Sequence, residues 1–163
     1  MKKAFLLCMA AVMLLCSFSL KNLFGKKKTT TETTTQTTST STEGQAAGKA
    51  LKALYTQYKA DGTFDYTNLS NIANTMILLQ NCKNLKTQAK DSDYWKSFAS
   101  GLILGSDNLV TESMSNTVTS SLSSLMENVD TDQLDQSGNN PLQTASTVKK
   151  TAGSLQTLLG MFQ

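Results

Sequence analysis

The sequence predicts an all-α protein whose folded part is a small antiparallel bundle of four or five helices. After Gly44, apolar residues recur at intervals of three and four, which is the repeat of amphipathic helices. The β-branched residues are mostly scattered threonines, so the runs of Val and Ile that indicate strands are nearly absent. Short polar breaks separate the periodic segments, and short connections favour antiparallel neighbours.

Composition divides the 163 residues into three parts. We predict a signal peptide at residues 1–19, a basic and then Ser/Thr-rich disordered linker at 20–44, and a helical-bundle domain at 45–163. A domain of about 120 residues buries roughly two-thirds of the surface of its unfolded chain, so it needs neither a metal nor a disulfide to fold.

The first segment has the layout of a secretory signal peptide, with a Met-Lys-Lys start and an apolar run over residues 4–20. Small side chains at Ser17 and Ser19 favour cleavage after Ser19. In one alternative, Cys16 resembles the lipid-bearing cysteine of bacterial lipoproteins, although Leu15 stands where that family has a small residue. In another, the apolar run, about 26 Å long as a helix, remains as an uncleaved anchor near the membrane. Each alternative predicts an exported protein that is periplasmic, envelope-tethered or secreted.

Residues 29–42 are all Thr or Ser except Glu32 and Gln36. The tract has no apolar side chain to bury and cannot offset the entropy lost on ordering, so we expect it to be disordered. It is interpreted either as a stalk that holds the domain away from a membrane or wall, with hydroxyls available for glycosylation, or as a passive linker.

Charge is distributed unevenly along the chain. Six of the fifteen lysines precede residue 29, and all twelve acidic residues follow it, so residues 29–163 carry nine lysines and a net charge of −3. The chain has no arginine, the side chain best suited to bidentate contacts with phosphates and base edges. We therefore expect no nucleic-acid partner.

The first two predicted helices are separated by Asp61-Gly62, which supplies a stop and a turn. Asp65 or Thr67 is available to cap the second helix, which we expect to end near Lys90. Residues 76–79 are all apolar, so every side of the helix is apolar at this point. We therefore predict that this helix lies at the centre of the bundle. The apolar face of the first helix comprises Ala47, Ala50, Leu51, Leu54, Tyr55 and Tyr58. That of the second comprises Leu69, Ile72, Ala73, Met76, Leu79, Cys82 and Leu85.

The third helix begins at the capping cluster Asp91-Ser92-Asp93. Its apolar stripe shifts around Gly101, Gly105 and Asp107, which predicts a kink or a break, because glycines weaken a helix by about 1 kcal/mol each. The spacing of the two glycines also permits close approach of another helix. The stripe comprises Trp95, Phe98, Leu102 and Leu109 before the shift, and Val110, Met114, Val118, Leu122, Leu125 and Val129 after it.

The polar residues 130–139 are predicted to form the longest loop of the domain. Asn140 and Pro141 then start the last helix, since Asn caps and Pro fits the first position, where no donor is needed. This helix is predicted to run to the C-terminus with an apolar face formed by Leu142, Ala145, Val148, Ala152, Leu155, Leu159 and Phe162.

Residues that carry catalytic chemistry are scarce. The absence of His removes the usual general base and the commonest metal ligand. Of the three cysteines, Cys82 alone lies in the predicted domain, where we expect a buried thiol; a reactive or intermolecular thiol is the alternative. We predict no catalytic residue and no cofactor.

Two motif resemblances are incomplete. Counted from Asn128, the spacing of Asn128, Asp130 and Asp132 is similar to an EF-hand start, but Gln133 and Asn139 replace the required glycine and bidentate glutamate. We therefore predict no metal site and retain Asp130, Asp132 and Asp135 as candidate ligands.

Ser146-x-x-Lys149, Ser106-Asp107-Asn108 and Lys150-Thr151-Ala152 resemble motifs of serine penicillin-binding enzymes. In that family the Ser-x-x-Lys motif comes first and the fold needs far more residues, so a solvated helix face is the interpretation here.

These observations predict an exported, non-enzymatic helical protein of a bacterial cell envelope that binds a protein partner or a small apolar ligand. Tyr94 and Trp95 are either anchors of that interaction or part of the core. The alternative is a membrane-active protein, based on the apolar runs at residues 76–79 and 102–104 beside the two glycines. A small hydrolase or acyl-transfer enzyme is a third hypothesis.

Overall fold

The computed structural model of the chain describes residues 32–88, 90–137 and 140–163. The predicted signal peptide, the candidate cleavage site after Ser19 and the candidate lipidation site Cys16 lie outside these residues. The linker prediction falls partly outside them, because residues 20–31 are not among them.

The described residues form helices and no strand, which confirms the all-α class. There are six α-helices in this part of the chain, against the four or five predicted, and a 3₁₀ turn at Lys83–Leu85 continues the second. The helices are α1 Glu32–Asp61, α2 Leu69–Cys82, α3 Ser92–Ser106, α4 Glu112–Glu127, α5 Thr131–Ser137 and α6 Pro141–Gly160.

The additional helix is α5, which lies where a loop was predicted. Asp130 caps it, because its carboxylate accepts hydrogen bonds from the backbone N–H groups of Asp132 and Gln133 at 3.1 and 3.3 Å. Leu134 is fully buried in the core and holds the helix in place. A single apolar residue in one short helix leaves no periodicity for the sequence to reveal.

Helix α1 begins before the predicted domain boundary, so residues 32–44 of the predicted linker are helical. At Gly44 the helix already packs against α3, where a methyl group would lie 3.0 Å from the backbone nitrogen of Leu102. Glu43 also bonds to two side chains of the domain, Asn84 and Tyr94. These contacts stabilise the part of α1 that precedes Gln45. They join residues far apart in the chain, so the amino-acid composition of the segment does not reveal them.

Helices α1 and α3 run parallel and meet through glycines. Gly44 faces Phe98 and Leu102, and one turn later Gly48 faces Leu102 and Gly105. Side chains at these glycines would collide with backbone, so the two helices approach as closely as their main chains allow. Helix α2 comes between them in the chain and runs antiparallel to both, because the turn after it brings Asn84 within 3.0 Å of Glu43, which also bonds to Tyr94 at the start of α3.

The glycines of α3 do not break it. The helix runs unbroken to Ser106, and the predicted break follows at Asp107 and Asn108, which have φ angles of 50° and 67°. Lys52 of α1 pairs with Asp107 and holds the pKa of that carboxyl below its usual value through a hydrogen bond and charge attraction.

The predicted helix starts at Asp91 and Asn140 are confirmed. The Asp91 carboxylate accepts from the N–H groups of Asp93 and Tyr94, and the Asn140 amide oxygen accepts from those of Leu142 and Gln143. Helix α2 is capped by Asn68 instead of Asp65 or Thr67. The largest fully buried side chains of the core are Leu51, Leu54, Leu78, Leu79, Leu85, Phe98, Leu102, Leu122, Met126, Leu134, Leu155 and Leu159.

Candidate interaction surface

Helix α2 presents one exposed face that carries no charge. The face comprises Leu69, Ser70, Ala73, Ile77 and Gln80, and we call it the uncharged face. Leu69 is 82% exposed and Ile77 44% exposed, so two large apolar side chains lie in solvent two turns apart. Among the six helices of the described residues, α2 alone contains no charged residue.

The exposure of these residues corrects two predictions about the second helix. The second helix was expected to be central because residues 76–79 are apolar, yet Ile77 faces solvent while Met76, Leu78 and Leu79 are buried. Leu69 and Ala73 were assigned to the buried face and are exposed. The sequence does contain a signal for this surface, because residues 66–82 have no charged residue, whereas a solvated helix face normally carries some.

The inner face of α2 is polar near its start. Asn71 and Thr75 are buried, and the Asn71 amide oxygen and the Thr75 hydroxyl have no hydrogen-bond partner among the described residues. The Asn71 amide nitrogen donates to the Asp65 carbonyl at 2.9 Å. The first turns of α2 therefore rest on less favourable packing than the later ones, which bury leucine.

The predicted aromatic pair does not form an exposed patch. Tyr94 is buried, stacks against Phe98 at a ring separation of 6.2 Å and donates its hydroxyl to Glu43 at 2.9 Å. Trp95 is half-buried and packs against the core. Both side chains contribute to packing at the start of α3.

A hydrogen-bonded cluster joins the first half of α1 and the start of α3 to the 3₁₀ turn that follows α2. Glu43 accepts from the Tyr94 hydroxyl at 2.9 Å and from the Asn84 amide at 3.0 Å. Burial, together with the hydrogen bond to Glu43, raises the pKa of Tyr94 well above its usual range. Burial, with a smaller contribution from the Glu43 charge, likewise raises the pKa of the Cys82 thiol. The protonated thiol is a poor nucleophile.

The three candidate metal ligands have separate roles. Asp130 caps α5, and Asp135 pairs with Lys83 at 3.2 Å across the surface. Asp132 is exposed in the first turn of α5. No group of three acidic or cysteine side chains in the described part of the chain is arranged to hold a metal ion.

The three motifs that resemble those of serine penicillin-binding enzymes lie on two different parts of the fold. Ser146 and Lys149 are exposed on α6. Ser106 is buried at the end of α3, where its hydroxyl donates to the Ile103 carbonyl and accepts from the Val110 N–H. Its hydroxyl thus stabilises the turn after α3.

An open groove of about 400 Å³ runs between α4 and α6. Hydroxyl side chains dominate its lining, with Leu125, Leu158 and Met161 as its apolar part. A second groove beside α3 is lined by Ser41, Asp93, Lys96, Ser97 and Ser100. Both grooves are open to solvent, whereas small ligands occupy pockets that enclose most of their surface.

The apolar runs that suggested membrane action lie partly in the core: Met76, Leu78, Leu79 and Leu102 are buried, whereas Ile77 and Leu104 are exposed. Within the described residues, no helix combines the length and apolarity needed to cross a membrane. No protein-family model, no curated protein and no solved structure matches this chain.

Proposed function

We propose that the chain is an exported, non-enzymatic helical protein of a bacterial cell envelope, and that its helical domain binds a protein partner through the uncharged face of α2. The observation that carries the proposal is the face itself, in which Leu69 and Ile77 are exposed without any charged neighbour on the helix. The cores of protein interfaces are depleted of charged residues in the same way.

Burial of this face is favourable because apolar area removed from water contributes about 25 cal/mol per Å². Ser70 and Gln80 at its margins supply hydroxyl and amide groups that pair with a partner or with bridging water. A protein partner fits this exposed helix better than a small apolar ligand, which requires a concave site.

Of two side chains that could act as a base or a nucleophile, one is bonded to other residues and the other is buried, which supports a non-enzymatic role. Glu43 is engaged by Tyr94 and Asn84, and the Cys82 thiol is fully buried. The sequence contains no His, and Ser146 on α6 has no general base in its motif other than the exposed Lys149. Export is supported by the lysine-flanked apolar run at residues 4–20.

Site-specific photo-crosslinking of the full chain in its own host tests the surface. A photoreactive amino acid is placed at Ile77 and, as a control, at Leu142, which is 84% exposed on α6. We expect one discrete adduct from position 77 and none from position 142. Leu69→Glu in the same chain is expected to abolish the adduct, because it introduces a charge into the apolar contact.

Equal adducts from both positions, or none from position 77, contradict the proposed surface. The non-enzymatic role is contradicted if the purified protein turns over a substrate and a single change such as Ser146→Ala abolishes the turnover.

A further inference from the structure

We propose that the occupant of the uncharged face is a second copy of this chain, docked antiparallel about a two-fold axis that passes close to Ala73. This inference rests on the proposed function, since it names the partner of the same face. The order of side chains along α2 and the charges at its two ends support it.

The uncharged face is complementary to itself. Leu69 and Ile77 each lie four residues from Ala73, about 6 Å along the helix on either side. In a two-fold interface, contacts occur in symmetric pairs. An axis at Ala73 therefore places Leu69 against the partner's Ile77, and Ile77 against the partner's Leu69. The small Ala73 side chains meet at the centre, where they allow the helices to approach closely.

The charges that flank α2 favour the same arrangement. Asp61 and Asp65 precede the helix and are exposed, whereas the exposed Lys86 follows it; Lys83, at the same end, is already paired with Asp135. Antiparallel docking brings the acidic end of one copy beside the basic end of the other, while a parallel arrangement opposes like charges. Exposed ion pairs contribute about 0–1 kcal/mol each, so they orient the two copies more than they stabilise the dimer.

The size of the face sets the strength of the association. Five exposed residues on one helix bury less than the roughly 1,200–2,000 Å² of stable interfaces. We therefore expect a weak dimer, with a Kd of about 10–1,000 µM, that dissociates on dilution.

Sedimentation of the purified full chain over a concentration series measures this directly. Leu69→Glu is compared with Leu142→Glu, a matched control, because both leucines are more than 80% exposed and lie in the first turn of a helix capped by Asn. We expect wild-type protein and Leu142→Glu to dimerise alike, and Leu69→Glu to weaken dimerisation at least tenfold. Equal behaviour of the two variants overturns the proposal, as does a wild-type chain that stays monomeric at 1 mM, about the upper end of the expected Kd range.

Disulfide trapping tests the position of the axis. In a chain with Cys8 and Cys16 changed to Ser, Ala73→Cys is expected to form a covalent dimer on mild oxidation, and Ala145→Cys, on the exposed side of α6, is not. Mixed Leu69→Cys and Ile77→Cys chains are expected to cross-link more than either variant alone. Equal trapping at positions 73 and 145 overturns the symmetric arrangement.

The photo-crosslinking described above separates the two proposals. An adduct of twice the chain mass from position 77 supports both. An adduct with a different protein overturns self-association and leaves the interaction surface supported, whereas the absence of any adduct contradicts both.

Discussion

Gly105 of α3 packs directly against the backbone carbonyl of Gln45 in α1, and a Cβ atom at position 105 would overlap it. Gly101 makes the equivalent contact with the carbonyl of Ser41, one turn earlier in both helices. The backbones therefore determine the separation and register of α1 and α3. This contact joins the segment around Ser41 to the domain.

We predict that Gly105→Ala destabilises the domain, whereas Gly153→Ala stabilises it. The added methyl at position 105 meets backbone atoms that cannot rotate away, which costs about 1–3 kcal/mol. Gly153 lies in α6 with open space around its Cα, so Ala gains up to about 1 kcal/mol of helix propensity. Chemical denaturation monitored by circular dichroism measures both changes. Equal effects of the two substitutions would show that α1 and α3 are not in close contact.

Local signals made some of the helix boundaries predictable. The caps at Asp91 and Asn140 and the stop at Gly62 depend on side chains a few residues away, which the sequence displays directly. The parallel contact of α1 with α3 depends on Gly44 and Gly101, which are far apart in the chain. The glycine spacing in α3 predicted a close approach but could not identify its partner.

The orientation of α2 could not be predicted from periodicity. Leu69 and Ile77 are exposed although their side chains are as apolar as those of core residues. Asn71 and Thr75 are buried although their side chains are as polar as those of surface residues. Hydrophobic pattern alone therefore assigns part of the helix to the wrong face. The uncharged face differs from an ordinary solvated helix face by its lack of charge, which the pattern of apolar residues does not record.

We predict that Thr75→Val stabilises the domain by about 1 kcal/mol, because it replaces a buried hydroxyl without a partner by a methyl of similar size. Thr119→Val is the matched control. Thr119 is also fully buried, but its hydroxyl donates to the Ser115 carbonyl at 2.7 Å, so we expect a loss or no gain. Thermal denaturation of the two variants gives the comparison. If Thr75→Val lowers the melting temperature as much as Thr119→Val does, the result contradicts an unpaired Thr75 hydroxyl.

We predict that stability falls as the pH rises above about 10, the usual pKa of tyrosine, and that Tyr94 contributes to the fall. Burial and the hydrogen bond to Glu43 raise the pKa of Tyr94, so the folded state holds this proton more tightly than the unfolded state does. This contribution is fully present below the unfolded pKa and is lost as the pH rises through the folded pKa.

Tyr94→Phe separates that contribution from other alkaline effects. The variant is expected to be less stable at pH 7 by about 1 kcal/mol, since Glu43 loses a donor, and to lose less stability than wild type between pH 10 and pH 11. Urea denaturation at each pH measures the difference. Parallel pH profiles for the two proteins would contradict the burial of the hydroxyl.

We predict that Cys82 resists thiol reagents until the domain unfolds. It is fully buried, and its raised pKa keeps the thiol protonated at pH 8, so the reactive thiolate is both rare and inaccessible. In a chain with Cys8 and Cys16 changed to Ser, a colorimetric disulfide reagent is expected to react at least a hundredfold faster in denaturant than in buffer. Thr56→Cys, with Cys82 also changed to Ser, provides an exposed thiol on α1 as the control, expected to react at similar rates in both conditions. Rapid reaction of Cys82 in buffer would show that the end of α2 unfolds locally and exposes the thiol. The hydrogen bonds around Glu43 would then not hold this end of the helix in place.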